Sequence, residues 1–139
     1  EAFKTLSASE TLNVVRVSEA EMRERLWKKL AVSCVLNPLT ALHSCRNGEA
    51  LPGREDACRA VCAEIASLDD CPCTAADLEK AVYDAAAETA ANYSSMYQDI
   101  AAGRRTEVDA LSGWVVDRAR GGAPESARLA AAVRALAPR

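Results

Sequence analysis

Helix start and stop signals divide this sequence into segments whose apolar residues recur at helical spacing. The clearest is an S-x-x-E capping box formed by Ser18 and Glu21, which leads into apolar residues at Met22, Leu26 and Leu30. Alanine dominates the second half of the chain, and only 4% of the residues are aromatic. Because this composition suits closely packed helices better than sheets, the sequence predicts an all-α helical bundle.

The same signals predict where the helices begin and end. Pro38 is expected to kink or end the first helix near Asn37, because proline has no amide hydrogen and crowds the preceding turn. The other predicted elements are an Asn47-Gly48 turn, a helix at 54–68, a helix that starts after Thr74 and runs past Tyr93, a stop at Gly103, a helix capped by Thr106, and a last helix at 126–136. Residues 1–17 lack helical spacing and are interpreted as a linker or the end of another domain, which leaves 18–139 as the helical domain.

The six cysteines allow three interpretations, namely free thiols, disulfides and a zinc site. A domain of this length does not need a disulfide framework, and Cys34 lies in an apolar helical segment, so we favour free thiols in a reducing compartment. A zinc site would use the sulfurs of Cys58, Cys62, Cys71 and Cys73, but their spacing misses the usual zinc-ribbon pattern, and we predict no metal.

Charge and hydropathy exclude several classes of partner. The formal charge is −3 with acids and bases interleaved, so no basic stripe is available for nucleic acid. The longest largely apolar run, 30–42, is shorter than the roughly 20 residues of a membrane span, and the chain does not open with a signal peptide. We therefore expect a cytoplasmic protein that binds neither nucleic acid nor membrane.

Three polar residues share one face of the first predicted helix. Lys29, Ser33 and Asn37 lie four residues apart, so this face presents an ammonium, a hydroxyl and an amide in a row. Leu26 and Leu30 are expected to desolvate Lys29 partly, which makes this lysine a candidate general acid, whereas Lys28 points away. The alternative from the residues alone is that Lys29 lies at a helix edge and that the other two satisfy backbone groups near Pro38.

Two blocks of sequence carry a resemblance to a known family. The first is 26–42, LWKKLAVSCVLNPLTAL, followed by Asn47-Gly48-Glu49. The second is 94–100, SSMYQDI, followed by Gly103-Arg104, by 106–109, TEVD, and by Gly113. In this order and separation the two blocks resemble the C-terminal helical domain of the ketopantoate reductases, which are similar to 6-phosphogluconate dehydrogenase-like enzymes.

The resemblance implies a function and a role for each matching residue. Members of the family reduce the 2-keto acid ketopantoate to pantoate with NADPH, on the route to pantothenate and coenzyme A. Lys29 matches the general acid and Glu107 the acidic partner that positions it. The matching substrate-binding positions are Ser33, Asn37, Asn47 and Ser95. From the residues alone, Glu107 also suits a helix first turn, Asn47 an Asn-Gly turn and Ser95 a helical hydroxyl.

The sequence departs from the family pattern in two ways. Ser33 stands where the family usually has asparagine, which puts the choice among 2-keto acids in doubt. The six glycines contain no G-x-G-x-x-G, so NADPH is expected to bind a nucleotide-binding domain outside this chain, and whether NADH serves instead stays open.

Two other functions stay open from the sequence. One is a non-enzymatic helical module derived from this family, and the other is a cysteine-based metal or redox module. Besides the 2-keto acid and the nucleotide-binding domain, a second copy of the chain is an expected partner, because a helical domain without its cofactor domain exposes apolar surface.

Overall fold

The computed structural model describes residues 15–136 of the chain, and these residues form a bundle of helices without a strand. The helices are α1 (Glu19–His43), α2 (Glu55–Ala66), α3 (Ala75–Glu88), α4 (Ser95–Ala101), α5 (Trp114–Ala119) and α6 (Pro124–Leu136), with a 3-10 turn at Asn47–Glu49 and a π-helical turn at Asp109–Gly113. The predicted all-α class is confirmed. The part of the predicted linker at 1–14 lies outside the described residues.

Helix α1 is the central element, against which all of α2, α3, α4 and α6 pack. Ser18 caps it as predicted, with the Ser18 Oγ accepting from the Glu21 amide at 3.2 Å and Glu21 accepting from the Ser18 amide at 2.7 Å. Of the two outcomes predicted at Pro38, a kink or an end of the helix, the end near Asn37 is wrong, since α1 continues to His43. The residues beyond Pro38 include Leu39 and Thr40, which are fully buried, and this burial offsets the cost of roughly 3 kcal/mol of an interior proline.

Three other boundaries differ from the prediction. The helix after Thr74 does not run past Tyr93 but ends at Glu88, because Ser94 starts the separate helix α4 as its N-cap. The region after Thr106 forms the π-helical turn before α5. Helix α6 begins at Pro124, two residues before the predicted start at Ser126. Proline suits this first helical position because the amide hydrogen that it lacks would have no intrahelical acceptor there.

Helix α6 is capped by a side chain from a different helix. Glu64 of α2 is only 8% exposed, and its carboxylate accepts from the Glu125 amide at 2.6 Å, the Ser126 amide at 2.9 Å and the Ser126 hydroxyl at 2.6 Å. The carboxylate therefore occupies the positive end of the α6 dipole and satisfies its free amides. This contact joins α2 to α6, although Glu64 and Glu125 are 61 residues apart in the sequence.

All six cysteines are free thiols in the structure, as the sequence predicts. Cys34, Cys58, Cys62 and Cys73 are buried, whereas Cys45 and Cys71 are half-buried. Burial raises the pKa of Cys34 to about 12, an effect that the neighbouring Ser112 hydroxyl only partly offsets. Within residues 15–136 no His, Cys, Asp and Glu side chains are grouped to hold a metal ion, so the four-sulfur zinc alternative has no support there.

We expect thiol titration of the native protein to modify Cys45 and Cys71 first and the other four cysteines only after unfolding. The reason is that the other four thiols are buried and therefore inaccessible to the reagent in the folded protein, and burial also raises the pKa of the Cys34 thiol to about 12. Ellman's reagent with and without denaturant measures this. Fewer than six reactive thiols in denaturant without reductant would contradict the free-thiol assignment.

None of the helices formed by residues 15–136 combines the length and apolar character needed to cross a membrane.

Candidate active site

The three polar residues predicted on one face of the first helix all lie on α1. Ser33 and Asn37 are half-buried, while Lys29 is exposed. Lys29 lies about 12 Å along the helix axis from Asn37, since eight residues rise at 1.5 Å each. Asn37 thus lies in the packed middle of the bundle and Lys29 at its open end.

The expected desolvation of Lys29 is absent within the described residues. Lys29 is exposed and Leu26 is 59% exposed, so the apolar side chains beside the lysine do not cover it. Lys28 is the more buried of the two lysines and pairs with Glu24 at 3.7 Å. The apolar surface around Lys29 therefore lacks a covering element among residues 15–136.

Helix α4 brings Ser95 to the C-terminal half of α1. Met96 is buried against Ala41 and Val108 in a small cluster that holds α4 to α1. Ser94, the N-cap of α4, is hydrogen-bonded to Thr40 of α1 through their hydroxyl oxygens at 2.6 Å. Ser95 itself is exposed at the first position of α4, next to the residue that contacts Thr40 of α1.

The segment that carries Glu107 runs back along α1 in the opposite direction. Val108 packs on Ala41, the Ser112 hydroxyl faces the Cys34 thiol, and the Trp114 ring lies 6.0 Å from the Trp27 ring. The π-helical turn stabilises this course of the backbone through a hydrogen bond, in which the Gly113 amide donates to the Val108 carbonyl at 3.0 Å. Such turns occur often at functional sites. Glu107 is exposed beside the buried Val108.

Asn47 lies on the loop between α1 and α2 and is anchored on the end of α3. Its Nδ2 donates to the Thr89 hydroxyl at 2.8 Å, and its backbone amide donates to the Asn92 carbonyl at 2.9 Å. The Asn47 Oδ1 is buried and has no hydrogen-bond partner among the described residues. Asn47 is therefore held by two hydrogen bonds to Thr89 and Asn92, while its buried side-chain oxygen stays unsatisfied by the described residues.

Gly48 allows this loop to approach α3 closely. A Cβ at Gly48 would lie 2.7 Å from the Ala90 Cβ, a distance that real Cβ atoms do not show. The Gly48 amide also donates to the Ala90 carbonyl at 3.2 Å. The glycine of the Asn47-Gly48 pair is thus required by packing, and the pair begins a 3-10 turn rather than a two-residue hairpin turn.

We expect Gly48→Ala to lower the free energy of unfolding by roughly 1–3 kcal/mol, the usual cost of overpacking. Urea unfolding of the variant measures this loss. Adding Ala90→Gly to the variant should recover part of it, because the closest clashing atom is then removed. A Gly48→Ala protein as stable as the original would show that the loop does not pack as closely as described.

The candidate site therefore combines residues from four segments. Lys29 and Asn37 lie two turns apart on one face of α1, Asn47 lies on the loop after α1, Ser95 follows the residue that contacts Thr40, and Glu107 precedes the buried Val108. Within residues 15–136 neither the Lys29 ammonium nor the Glu107 carboxylate has an ion-pair partner. The predicted contact between these two side chains is thus not formed in the isolated chain.

Sequence reasoning missed Thr40 and Ser94, which join the two predicted blocks. Both lie inside those blocks, and Ser94 carries a readable N-cap signal before the apolar Met96. No local pattern identifies the pairing itself, because the two residues are 54 positions apart.

Comparison of the sequence with known proteins identifies the family that the chain matches. The family model described as "Ketopantoate reductase PanE/ApbA C terminal" matches residues 21–137. A 2-dehydropantoate 2-reductase of Salmonella typhimurium is 43% identical over 114 residues, which are 78% of this chain and 37% of that protein. The enzyme of the same name from Halobacterium salinarum is 40% identical over 106 residues, or 73% of this chain and 35% of that protein.

Solved structures of the family have the same fold. A PanE/ApbA family ketopantoate reductase from Ralstonia eutropha JMP134 matches with a TM-score of 0.72 and 29% identity, over 81% of this chain and 40% of that one. A dimeric ketopantoate reductase from Staphylococcus aureus matches with a TM-score of 0.71 and 20% identity, over 97% of this chain and 50% of that one. The chain spans little more than a third of the length of the curated relatives it matches. The chain thus belongs to the ketopantoate reductase PanE/ApbA family and corresponds to its C-terminal helical domain.

Proposed function

We propose that this chain is the C-terminal half of a 2-dehydropantoate 2-reductase that reduces ketopantoate to pantoate for pantothenate and coenzyme A synthesis. The observation that carries the proposal is the match of residues 21–137 to the C-terminal domain of ketopantoate reductases. The polar set at Lys29, Asn37, Asn47, Ser95 and Glu107 supports it, because each predicted residue type is present on or around α1.

Lys29 is the proposed general acid. Reduction of a ketone adds a hydride to the carbonyl carbon and a proton to the oxygen, and a nicotinamide cofactor supplies the hydride. The Lys29 Nζ can hydrogen-bond the ketone oxygen, stabilise its growing negative charge and then transfer a proton to it. Because Lys29 is exposed beside the exposed Leu26, closure of a second domain over this end of α1 would desolvate the ammonium.

Glu107 and the amide and hydroxyl groups are the proposed binding and positioning residues. A 2-keto acid carries a carboxylate that accepts hydrogen bonds, and Asn37, Asn47 and Ser95 can each donate one. Glu107 has no ion-pair partner within residues 15–136 and is available to position the Lys29 ammonium once the site closes. Ser33 is shorter than asparagine and leaves more room beside Asn37.

The chain's own residues do not fit a dinucleotide. Residues 15–136 form no strand, and the six glycines, of which only Gly121 and Gly122 are adjacent, lack the G-x-G-x-x-G spacing that a pyrophosphate-binding turn needs. We therefore propose that NADPH is held by a separate nucleotide-binding domain. The exposed apolar side chains Val15, Met22 and Leu26 at the start of α1 offer that domain a contact surface, and a second copy of the chain is the alternative occupant.

A non-enzymatic helical module is the second candidate function. It would require the polar set to have lost its chemistry, yet Lys29, Asn37, Asn47, Ser95 and Glu107 are all present and only Ser33 departs from the family pattern. The reductase is therefore favoured. Six free thiols are consistent with a cytoplasmic location, which we also propose.

The test is steady-state NADPH oxidation with a panel of 2-keto acids by the two-domain enzyme, meaning this chain joined to its nucleotide-binding domain. We expect ketopantoate to have the highest kcat/KM. Ser33→Asn is expected to change kcat/KM for ketopantoate by about tenfold relative to smaller 2-keto acids, as one gained or lost substrate hydrogen bond does. Turnover of no 2-keto acid would refute the reductase, and an unchanged ranking in Ser33→Asn would exclude Ser33 from substrate selection.

A further inference from the structure

A pair of buried hydroxyl groups joins the two halves of the candidate site. Thr40 of α1 is fully buried and Ser94 at the start of α4 is 6% exposed, and their oxygens lie 2.6 Å apart. Thr40 Oγ1 also lies 2.7 Å from the Leu36 carbonyl and 3.1 Å from the Asn37 carbonyl. The Tyr97 amide donates to Ser94 Oγ at 3.1 Å.

The chemistry of these groups fixes the direction of each hydrogen bond. A carbonyl can only accept, so the single hydroxyl proton of Thr40 is directed to Leu36 and Asn37. Ser94 must then donate to Thr40, while its own oxygen accepts from Tyr97. Each hydroxyl thus donates once and accepts from one neighbour, and the Tyr97–Ser94–Thr40–Leu36 chain leaves neither hydroxyl unsatisfied.

This chain of hydrogen bonds lies between two candidate substrate-binding residues. The Thr40 hydroxyl is hydrogen-bonded to the carbonyl of Asn37, and Ser94 immediately precedes Ser95 in the sequence. Helix α4 has only seven residues, too few to be stable alone, so its placement depends on its contacts with α1. The buried Met96 supplies apolar contact, and the Thr40–Ser94 bond adds a directional contact at the start of α4.

We propose that Thr40 and Ser94 are positioning residues for the reduction, which set the Ser95 hydroxyl at the right distance from the Asn37 amide. The inference rests on the proposed function. Neither residue touches the substrate in this account, since both are buried behind the residues that do. Loss of the bond lets the start of α4 shift relative to α1, and a shift of the order of 1 Å is enough to weaken binding of the keto acid strongly.

The test compares Thr40→Val, Thr40→Ser and Ser94→Ala in the two-domain enzyme. Valine keeps the shape of threonine but removes the hydroxyl, whereas serine keeps the hydroxyl. We expect Thr40→Val and Ser94→Ala each to raise KM for ketopantoate about tenfold, with KM for NADPH unchanged and Thr40→Ser near the original value. The double variant Thr40→Val with Ser94→Ala should raise KM by less than the product of the two single effects, because both single variants remove the same bond.

The control is Ser67→Ala, which removes a serine hydroxyl that donates to the Glu64 carbonyl at 2.7 Å at the end of α2. It should lower stability without changing either KM. Should Thr40→Val fail to fold, Ser94→Ala tests the same bond and leaves the bond from Thr40 to Leu36 intact. Unchanged KM for ketopantoate in a folded Ser94→Ala enzyme would overturn the inference alone, whereas an inactive original enzyme would overturn the proposed function and the inference together.

Discussion

Lys29→Ala in the two-domain enzyme is expected to lower kcat for ketopantoate by about a hundredfold to ten-thousandfold, the usual contribution of a general acid. The ketone oxygen would gain its charge without a nearby ammonium and would have to take its proton from water. KM for NADPH should change little, because the residues that bind the cofactor are proposed to lie in the other domain. Steady-state kinetics with each substrate varied in turn measures both effects.

Lys28→Ala is the matched control for this prediction. Lys28 has the same charge one position earlier but pairs with Glu24 on a different side of α1. We expect it to retain kcat within a few-fold of the original enzyme. If Lys28→Ala loses as much activity as Lys29→Ala, the effect comes from the charge of the helix and not from a general acid at Lys29.

Glu64→Ala is expected to destabilise the fold by about 3 kcal/mol, the largest loss we predict for a residue outside the candidate site. The substitution leaves the Glu125 and Ser126 amides without an acceptor in a part-buried to buried environment. Glu64→Gln should cost less, since the side-chain oxygen can still accept one of these bonds although the amino group opposes a donor. Urea unfolding of the 139-residue chain, followed by circular dichroism, measures the loss.

The control for Glu64 is Glu88→Ala, which removes an exposed glutamate at the end of α3. A surface change of this kind is expected to stay within about 0.5 kcal/mol. Equal midpoints for Glu64→Ala and Glu88→Ala would show that the cap on α6 contributes nothing to stability.

Local signals in the sequence predict the parts of the fold that depend on neighbouring residues. The capping boxes at Ser18 and Thr74 start α1 and α3 as expected, because each involves residues three positions apart. Gly103 follows the end of α4 with a φ of 64°, as a helix stop requires. These elements are readable because their stabilising contacts are made within one or two turns.

Tertiary packing decides the features that the sequence does not predict. Pro38 is tolerated inside α1 because the residues after it are buried by other helices, and no local rule reports that burial. The π-helical turn at Asp109–Gly113 replaces regular helix where the chain packs against Cys34 and Trp27. Helix α6 is capped by Glu64, which lies far away in sequence, so its N-cap signal is absent from its own segment.

The candidate site shows the same division. The spacing of Lys29, Ser33 and Asn37 on one helical face follows from periodicity alone, and the structure has them on α1. The segments that carry Ser95 and Glu107 are held beside α1 by the apolar cluster that contains Met96, Val108 and Ala41, which no spacing predicts. The expected desolvation of Lys29 is not provided by the described residues, which leave the lysine exposed.

The most direct test of the central claim compares NADPH oxidation with ketopantoate by the two-domain enzyme, by this chain alone, by the nucleotide-binding domain alone and by the two halves mixed. The account predicts full activity in the joined enzyme, none in either half, and at most partial activity in the mixture. Activity of the nucleotide-binding domain without this chain, or an inactive joined enzyme that binds both substrates, would contradict the claim that the residues on and around α1 perform the acid chemistry.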